Sequence, residues 1–208
     1  MKNRAVLIPV VVLAVGFAAW AAWHFLLSSG PRNSAIIAAP SGHAYQFIAA
    51  PSGHAYQFIA APDIGWDAAR ADAAKLSWQG HPGYLATIED AGEYQFIIDR
   101  IFPHAYPDVT YLGGRQTAPG EWRWVTGPDS AADGGKGLLF WRGDEQGAIA
   151  SGHYANWMST AFQHGGKWDV SKVCCVSIFS YGVPQFSTSL GNGDSEEHVA
   201  GYVVEFGG

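Results

Sequence analysis

Residues 110–128 read T-Y-L-G-G-R-Q-T-A-P-G-E-W-R-W-V-T-G-P. The stretch predicts two short strands joined by a Gly/Pro turn. Tyr111 and Leu112 form an apolar pair that runs into Gly113-Gly114, read as turn glycines. Ala118-Pro119-Gly120 supplies the reversal, because proline presets φ and glycine tolerates positive φ. Trp122, Trp124 and Thr126 alternate, so both indoles fall on one face of a strand. Two tryptophans on one face bury a large area and need a sheet or helix opposite them. The ordinary reading of these residues is a core hairpin with no chemistry of its own.

Upstream, Trp66, Ala69, Ala73 and Leu76 recur at helical spacing and predict a first amphipathic helix. Gln79-Gly80-His81-Pro82-Gly83 is read as its end. Tyr84, Leu85 and Ile88 form a short apolar segment. Asp90-x-x-Glu93 then has the form of a capping box. Tyr94, Ile97, Ile98 and Ile101 follow as the buried stripe of a second helix, stopped at Phe102-Pro103. Glu89, Asp90 and Glu93 sit at the positive end of that helix, which explains their charges structurally. Downstream, residues 129–136 read as a polar, glycine-rich loop. Residues 138–141 read as a short strand or the edge of the loop region, and residues 173–179 and 199–206 read as strands.

In this order, Gly65-Trp66-Asp67-Ala68-Ala69, G-Y-L-A-T-I at 83–88, Glu93, Tyr111 to Gly114, Trp122 to Pro128, Tyr154-Ala155-Asn156-Trp157 and G-Y-V-V-E-F at 201–206 resemble a bacterial C-type lectin-like domain. The resemblance spans residues 42–208. It implies an α+β C-type lectin-like fold, with two helices flanking antiparallel sheets and a long loop region. It also implies that the last strand pairs with the first and that Trp157 is chiefly a packing residue. Sugar-binding members of that family hold Ca²⁺ with a Glu-Pro-Asn or Gln-Pro-Asp loop and a Trp-Asn-Asp strand. Calcium takes six to eight oxygen ligands, and the same side chains bond sugar hydroxyls. After Asn156-Trp157 this chain has Met158-Ser159-Thr160-Ala161-Phe162-Gln163. Before the closing strand it has P-Q-F-S-T-S-L at 184–190. The usual calcium ligands are therefore read as absent, and no cofactor is assigned. The remaining candidates for a ligand-binding face are Trp168, Asp144, Glu145, Asn156, Asp169, Asn192 and Asp194, with Glu196 and Glu197 nearby. Trp168 is the best candidate for a stacking residue. The competing reading makes the polar side chains solvated loop residues and Trp168 a packing anchor.

The N-terminal part has its own organisation. Residues 5–27 form an apolar run of bilayer-spanning length with His24 as the only ionisable side chain. Lys2 and Arg4 precede it, which places the N-terminal tip (1–4) in the cytoplasm and the domain outside. A cleaved signal peptide, with Ala19-Trp20-Ala21 as the cleavage site, is the alternative. Both readings export the domain, to the periplasm or cell surface if anchored and as a secreted form if cleaved. Residues 28–39 read as a linker. Residues 40–61 hold P-S-G-H-A-Y-Q-F-I-A-A twice, letter for letter. Ile37-Ala38-Ala39 matches the tail of a further partial copy. The second copy has the right distance from Gly65-Trp66 to supply the first strand of a domain over 52–208. The first copy is then an extra edge strand or part of the stalk.

The totals narrow the function classes. A net charge of −6 gives no electrostatic reason to expect nucleic acid. No zinc-protease, Walker, nucleophile-elbow or dinucleotide motif is present. Cys174 and Cys175 are adjacent, so they do not make a disulfide framework. Free thiols, a vicinal disulfide and a bridge to another chain are all open. Strand alternation would turn one cysteine inward and the other outward. The first function reading is an exported, membrane-tethered recognition module for a glycan or other polar ligand, not an enzyme. The second is a calcium-independent module for a cell-surface or envelope protein. An enzyme using Cys174 and Cys175 comes third.

Overall fold

The computed structural model describes residues 36–38, 44–46, 48–50, 53–102, 109–144, 146–150, 152–162, 173–179, 183–192 and 198–207. The apolar run 5–27 lies outside them. Among the described residues no helix is long and apolar enough to cross a membrane.

The strands are β1 (Ile36–Ala38), β2 (Ala44–Gln46), β3 (Ile48–Ala49), β4 (Ala55–Ala60), β5 (Ser77–Trp78), β6 (His81–Leu85), β7 (Val109–Ala118), β8 (Glu121–Trp124), β9 (Leu138–Arg142), β10 (Ala148–Ile149), β11 (Cys175–Phe179), β12 (Gln185–Ser189) and β13 (Val199–Phe206). Two longer helices, α1 (Trp66–Ala73) and α2 (Ala91–Arg100), complete an α+β architecture.

The closing strand β13 is the spine. It pairs antiparallel with β4, Gly201 opposite Ala60 and Phe206 opposite Ala55. Its first half runs parallel to β7 and its last three residues run antiparallel to β6. The parallel β13–β7 pair departs from the antiparallel sheets expected from the sequence. It is possible because the long excursion through β8–β12 separates the two strands, as a parallel pair requires. β7 also carries β8 and, in antiparallel register, β11, which pairs onward with β12.

Gly113 and Gly114 do not make the expected turn. They lie inside ten-residue β7, and the need for glycine there is steric. A Cβ on Gly113 would come 1.8 Å from Thr126 Oγ1 and 2.5 Å from the Leu85 carbonyl. On Gly114 it would meet Val176 Cγ2 at 2.4 Å and Trp124 Cζ3 at 2.9 Å. The reversal falls at Pro119-Gly120, with φ of 72° at Gly120.

Trp122 and Trp124 are each 1% exposed on one face of β8. Trp124 stacks on Phe140 of β9 at 4.4 Å. Trp122 meets Trp157 edge-on at 5.3 Å, and Trp157 in turn packs on Phe162 and Phe186. Trp157 is thus a packing residue. The opposite strand face carries Arg123, which donates to the Gly137 carbonyl at 2.8 Å and pairs with Glu121 and Asp133.

Helix α1 buries Trp66, Ala69 and Ala73. The Trp66 indole donates to the Leu112 carbonyl of β7 at 2.7 Å, and the small alanine face permits that close docking. Leu76 falls beyond the helix end. The next segment does not simply terminate the helix. Gln79 (φ 50°) and Gly80 (φ 89°) form the two-residue turn of the β5–β6 hairpin, with positive φ at both positions. Asp90 caps α2, accepting from the Gly92 and Glu93 amides at 2.7 and 2.9 Å. Glu93 does not close a capping box on Asp90. Its carboxylate accepts from the Glu89 amide at 2.7 Å and from the Tyr56 hydroxyl at 2.6 Å.

The first repeat copy contributes β2 and β3, and the second contributes β4. β3 lies on the outer edge of β4, and β2 pairs with β1.

Gly113→Ala is expected to destabilise the domain by about 3 kcal/mol, because overpacking at this rigid crossing cannot relax cheaply. Urea unfolding measures it. Adding Thr126→Ala removes the colliding hydroxyl and is expected to recover part of the loss.

Candidate functional site

The candidate residues on the loops separate into three situations. Trp168, Glu145, Asp169 and Asp194 lie outside the described residues, as do Glu196 and Glu197. Asp144 is exposed in the β9–β10 turn, where it accepts from the Gln146 amide at 3.2 Å and so caps its own turn. Asn156 is tied into the protein. Its backbone carbonyl accepts from the Phe186 amide at 2.8 Å, and its side-chain oxygen accepts from Gln185 at 3.3 Å. Asn192 is exposed beside Gly65, at the start of α1. These three side chains therefore sit on separate supports.

A cluster that sequence reasoning missed forms where the first strand, the second helix and the closing strand meet. His54 Nδ1 lies 2.7 Å from Glu205 Oε1. Glu205, 2% exposed in β13, also accepts from the Thr87 amide at 3.1 Å and the Thr87 hydroxyl at 3.4 Å. Glu93 reaches the same place from α2 and accepts a hydrogen bond from the Tyr56 hydroxyl. Tyr84 lies alongside and donates to the Gly207 carbonyl at 2.9 Å. Each side chain arrives through an ordinary constraint. Tyr56 and Glu205 are partners across the β4–β13 pair, and Glu93 is placed by the Asp90 cap.

The electrostatics follow from burial. Burial, then the nearby Glu205 charge, pushes the Glu93 carboxyl up to about 7. Burial and the charges of Glu89 and Glu205 push neighbouring Asp129 up to about 6. The hydrogen bond to Glu205 raises the His54 imidazole above its usual value, partly opposed by desolvation. Burial and the surrounding carboxylates raise the Tyr56 and Tyr84 phenols, which stay protonated donors. The cluster thus holds protons that free side chains would have lost.

It also offers a cation an alternative to those protons. The ligating atoms of His54, Glu93 and Glu205 lie within 4.8 Å of one another. One imidazole and two carboxylates form a donor set that suits Mn²⁺ or Zn²⁺ better than an all-oxygen calcium cage. Binding would displace the shared protons, so affinity would rise with pH. The sequence alone explains Glu93 as a helix-end charge. The signal that could have found its second role is the pairing of first and last strands, which brings His54 and Glu205 to one end of the sheet.

Cys174 and Cys175 are disulfide-bonded to each other. The simple alternation expected for a strand does not hold there. β11 begins only at Cys175, and its register against β7 shifts between Cys175 and Ser177. A Cβ on Gly191 would lie 2.5 and 2.6 Å from the two sulfurs, so the bridge rests on a glycine. The Gly191 carbonyl accepts the Trp66 amide at 2.8 Å.

No protein-family model matches the chain. A stretch of 98 residues, 47% of this chain, is 36% identical to halomucin of Haloquadratum walsbyi (strain DSM 16790 / HBSQ001), of which it spans 1% of the length. Among solved structures, the C-type lectin CEL-I of Cucumaria echinata is similar with a TM-score of 0.50 at 12% identity, covering 77% of this chain and 94% of that one. The human scavenger receptor C-type lectin carbohydrate-recognition domain is similar with a TM-score of 0.48 at 16% identity, covering 76% and 94%. The fold is that of a C-type lectin-like domain.

Linkage gives the cluster a pH signature. The folded state holds the Glu93 proton up to about pH 7 and the Asp129 proton up to about pH 6. The unfolded chain releases both near ordinary carboxylate values. The stability they contribute is complete in acid and lost as pH rises through those folded values. The raised His54 acts in the same direction, its contribution lost above its ordinary 6.5. Melting temperature is expected to fall between pH 5 and pH 8, by the equivalent of about 2 kcal/mol. Glu93→Gln should flatten most of that slope. Millimolar Mn²⁺ or Zn²⁺ at pH 8 should raise the melting temperature of the unaltered protein and leave Glu93→Gln unmoved.

Proposed function

We propose that this domain is an exported recognition module that binds a carbohydrate or another polar ligand through its loop face, without the usual calcium site. The observation that supports it is the C-type lectin-like fold combined with the sequence at the two calcium positions. After Asn156-Trp157 and before the closing strand, the chain carries no Glu-Pro-Asn, Gln-Pro-Asp or Trp-Asn-Asp element. The similar CEL-I structure is described as a C-type lectin, which suggests the glycan class.

In this reading Trp168 stacks on the ligand, and Asp144, Glu145, Asn156, Asp169, Asn192 and Asp194 supply polar contacts. The run 5–27 anchors the domain to a membrane, or is removed as a signal peptide, and residues 28–39 are the spacer. The domain proper is 52–208. The second reading is a protein-binding module for adhesion or envelope assembly, favoured by the same missing calcium ligands. The enzyme reading through Cys174 and Cys175 comes third, and their bond to each other leaves neither sulfur a free thiol nucleophile.

A glycan array probed with the purified chain, with and without EDTA, separates these readings. Binding to a subset of glycans that survives EDTA is the expected result. Trp168→Ala should abolish it without lowering the melting temperature. Calcium-dependent binding would overturn the reading of the missing ligands. A blank array with capture of an envelope protein would favour the second reading.

A further inference from the structure

The duplicated segment forms the same backbone pairing twice, displaced by the length of the repeat. In the β3–β4 hairpin, Ile48 pairs with Tyr56 and Ala49 with Ala55. In the β1–β2 hairpin, Ile37 pairs with Tyr45 and Ala38 with Ala44. Each residue of the second hairpin stands eleven positions before its counterpart in the first. The tail of each unit pairs with the head of the next, in the same register.

Only one unit can lie against β13. In the structure it is the second, with Ala55 to Ala60 paired along the closing strand. The first copy carries A-Y-Q-F-I-A at 44–49, letter for letter the sequence of β4. It is also followed by Ala50-Pro51, as β4 is followed by Ala61-Pro62. Every side chain that β4 places against the core therefore has an identical counterpart in the first copy.

We propose that the domain has two registers. In a minor form the first strand slips by eleven residues, so that the first copy lies on β13 and β1 takes the place of β3. The hairpin that would dock already has its pairing formed. Register is ordinarily enforced because a slip moves side chains to the wrong face. A slip by one whole repeat restores every side chain to an equivalent place, so that enforcement is missing here.

The slip has two costs. The connection from the first strand to α1 lengthens from five residues to sixteen, which disfavours the form roughly sixfold by loop closure. The two-residue β3–β4 pairing is also given up, for roughly another fivefold. The slipped form is then populated at roughly a few per cent. Its consequence is a change of reach. Residues 51–61 loop out beside the start of α1, and the chain leading into the domain shortens by eleven residues, roughly 35 Å of extended length.

Proline substitutions in the full chain test this, because a central strand does not accept proline. Gln57→Pro disables the second copy and should push the protein into the slipped form. It is expected to remain a monomer that unfolds cooperatively, with its melting temperature lowered by roughly 5 °C. Gln46→Pro disables the first copy and should leave the melting temperature nearly unchanged. The double variant should lose its cooperative transition. Deleting residues 40–50 joins Ile37-Ala38-Ala39 directly to Pro51 and should also be nearly neutral, since it rebuilds the β3–β4 hairpin from β1. The proposal is overturned if Gln57→Pro is as unfolded as the double variant. It is equally overturned if Gln57→Pro folds only as a dimer, because the strand would then come from a second chain.

Discussion

Backbone satisfaction along β13 is the constraint on which the structure depends. Six of its eight residues, 201–206, are buried in sequence, and buried amides and carbonyls must be paired. β4 satisfies one edge. β7 and then β6 share the other, with Ala86 donating to the Val203 carbonyl where one partner hands over to the next. The handover brings β6, β7 and the residues after β8 to a single crossing. There Gly113, Leu85 and Thr126 come too close for any side chain at residue 113. The two hydrophobic clusters fill the sheet on either side of this crossing, one around Trp122, Trp124 and Phe186, the other around Trp66 and Tyr202.

Local signals are legible in the sequence. The Trp66, Ala69 and Ala73 face, the Asp90 cap, the alternation of Trp122 and Trp124 and the strand at 199–206 all depend on neighbours within a turn or a strand. The features that the sequence hides depend on contacts across the sheet. Gly113 and Gly114 look like turn residues until β6, Thr126 and Val176 are seen pressing on them. Gln79-Gly80 looks like a helix stop because only the return strand β6 shows it to be a hairpin. The parallel β13–β7 pair and the Cys174–Cys175 bond leave no periodic mark at all.

The His54–Glu93–Glu205 cluster is hidden for a related reason. His54 sits in a repeat, Glu93 follows a helix cap, and Glu205 alternates in a closing strand. Each had a sufficient local explanation, so none demanded another. Their convergence is a property of the tertiary pairing alone. It also separates two kinds of polar residue. Those at the junction of β4, α2 and β13 bond to one another and are held inside the fold's own pairing. A loop residue such as Asp144 meets solvent and bonds within its own turn.

The opposition of Ala55 and Phe206 across the first and last strands places the domain's entrance and exit side by side. A unit built this way behaves as a cassette. It can be grafted into a turn of a larger host or hung from a single stem, and neither arrangement asks the host to spread its own ends apart.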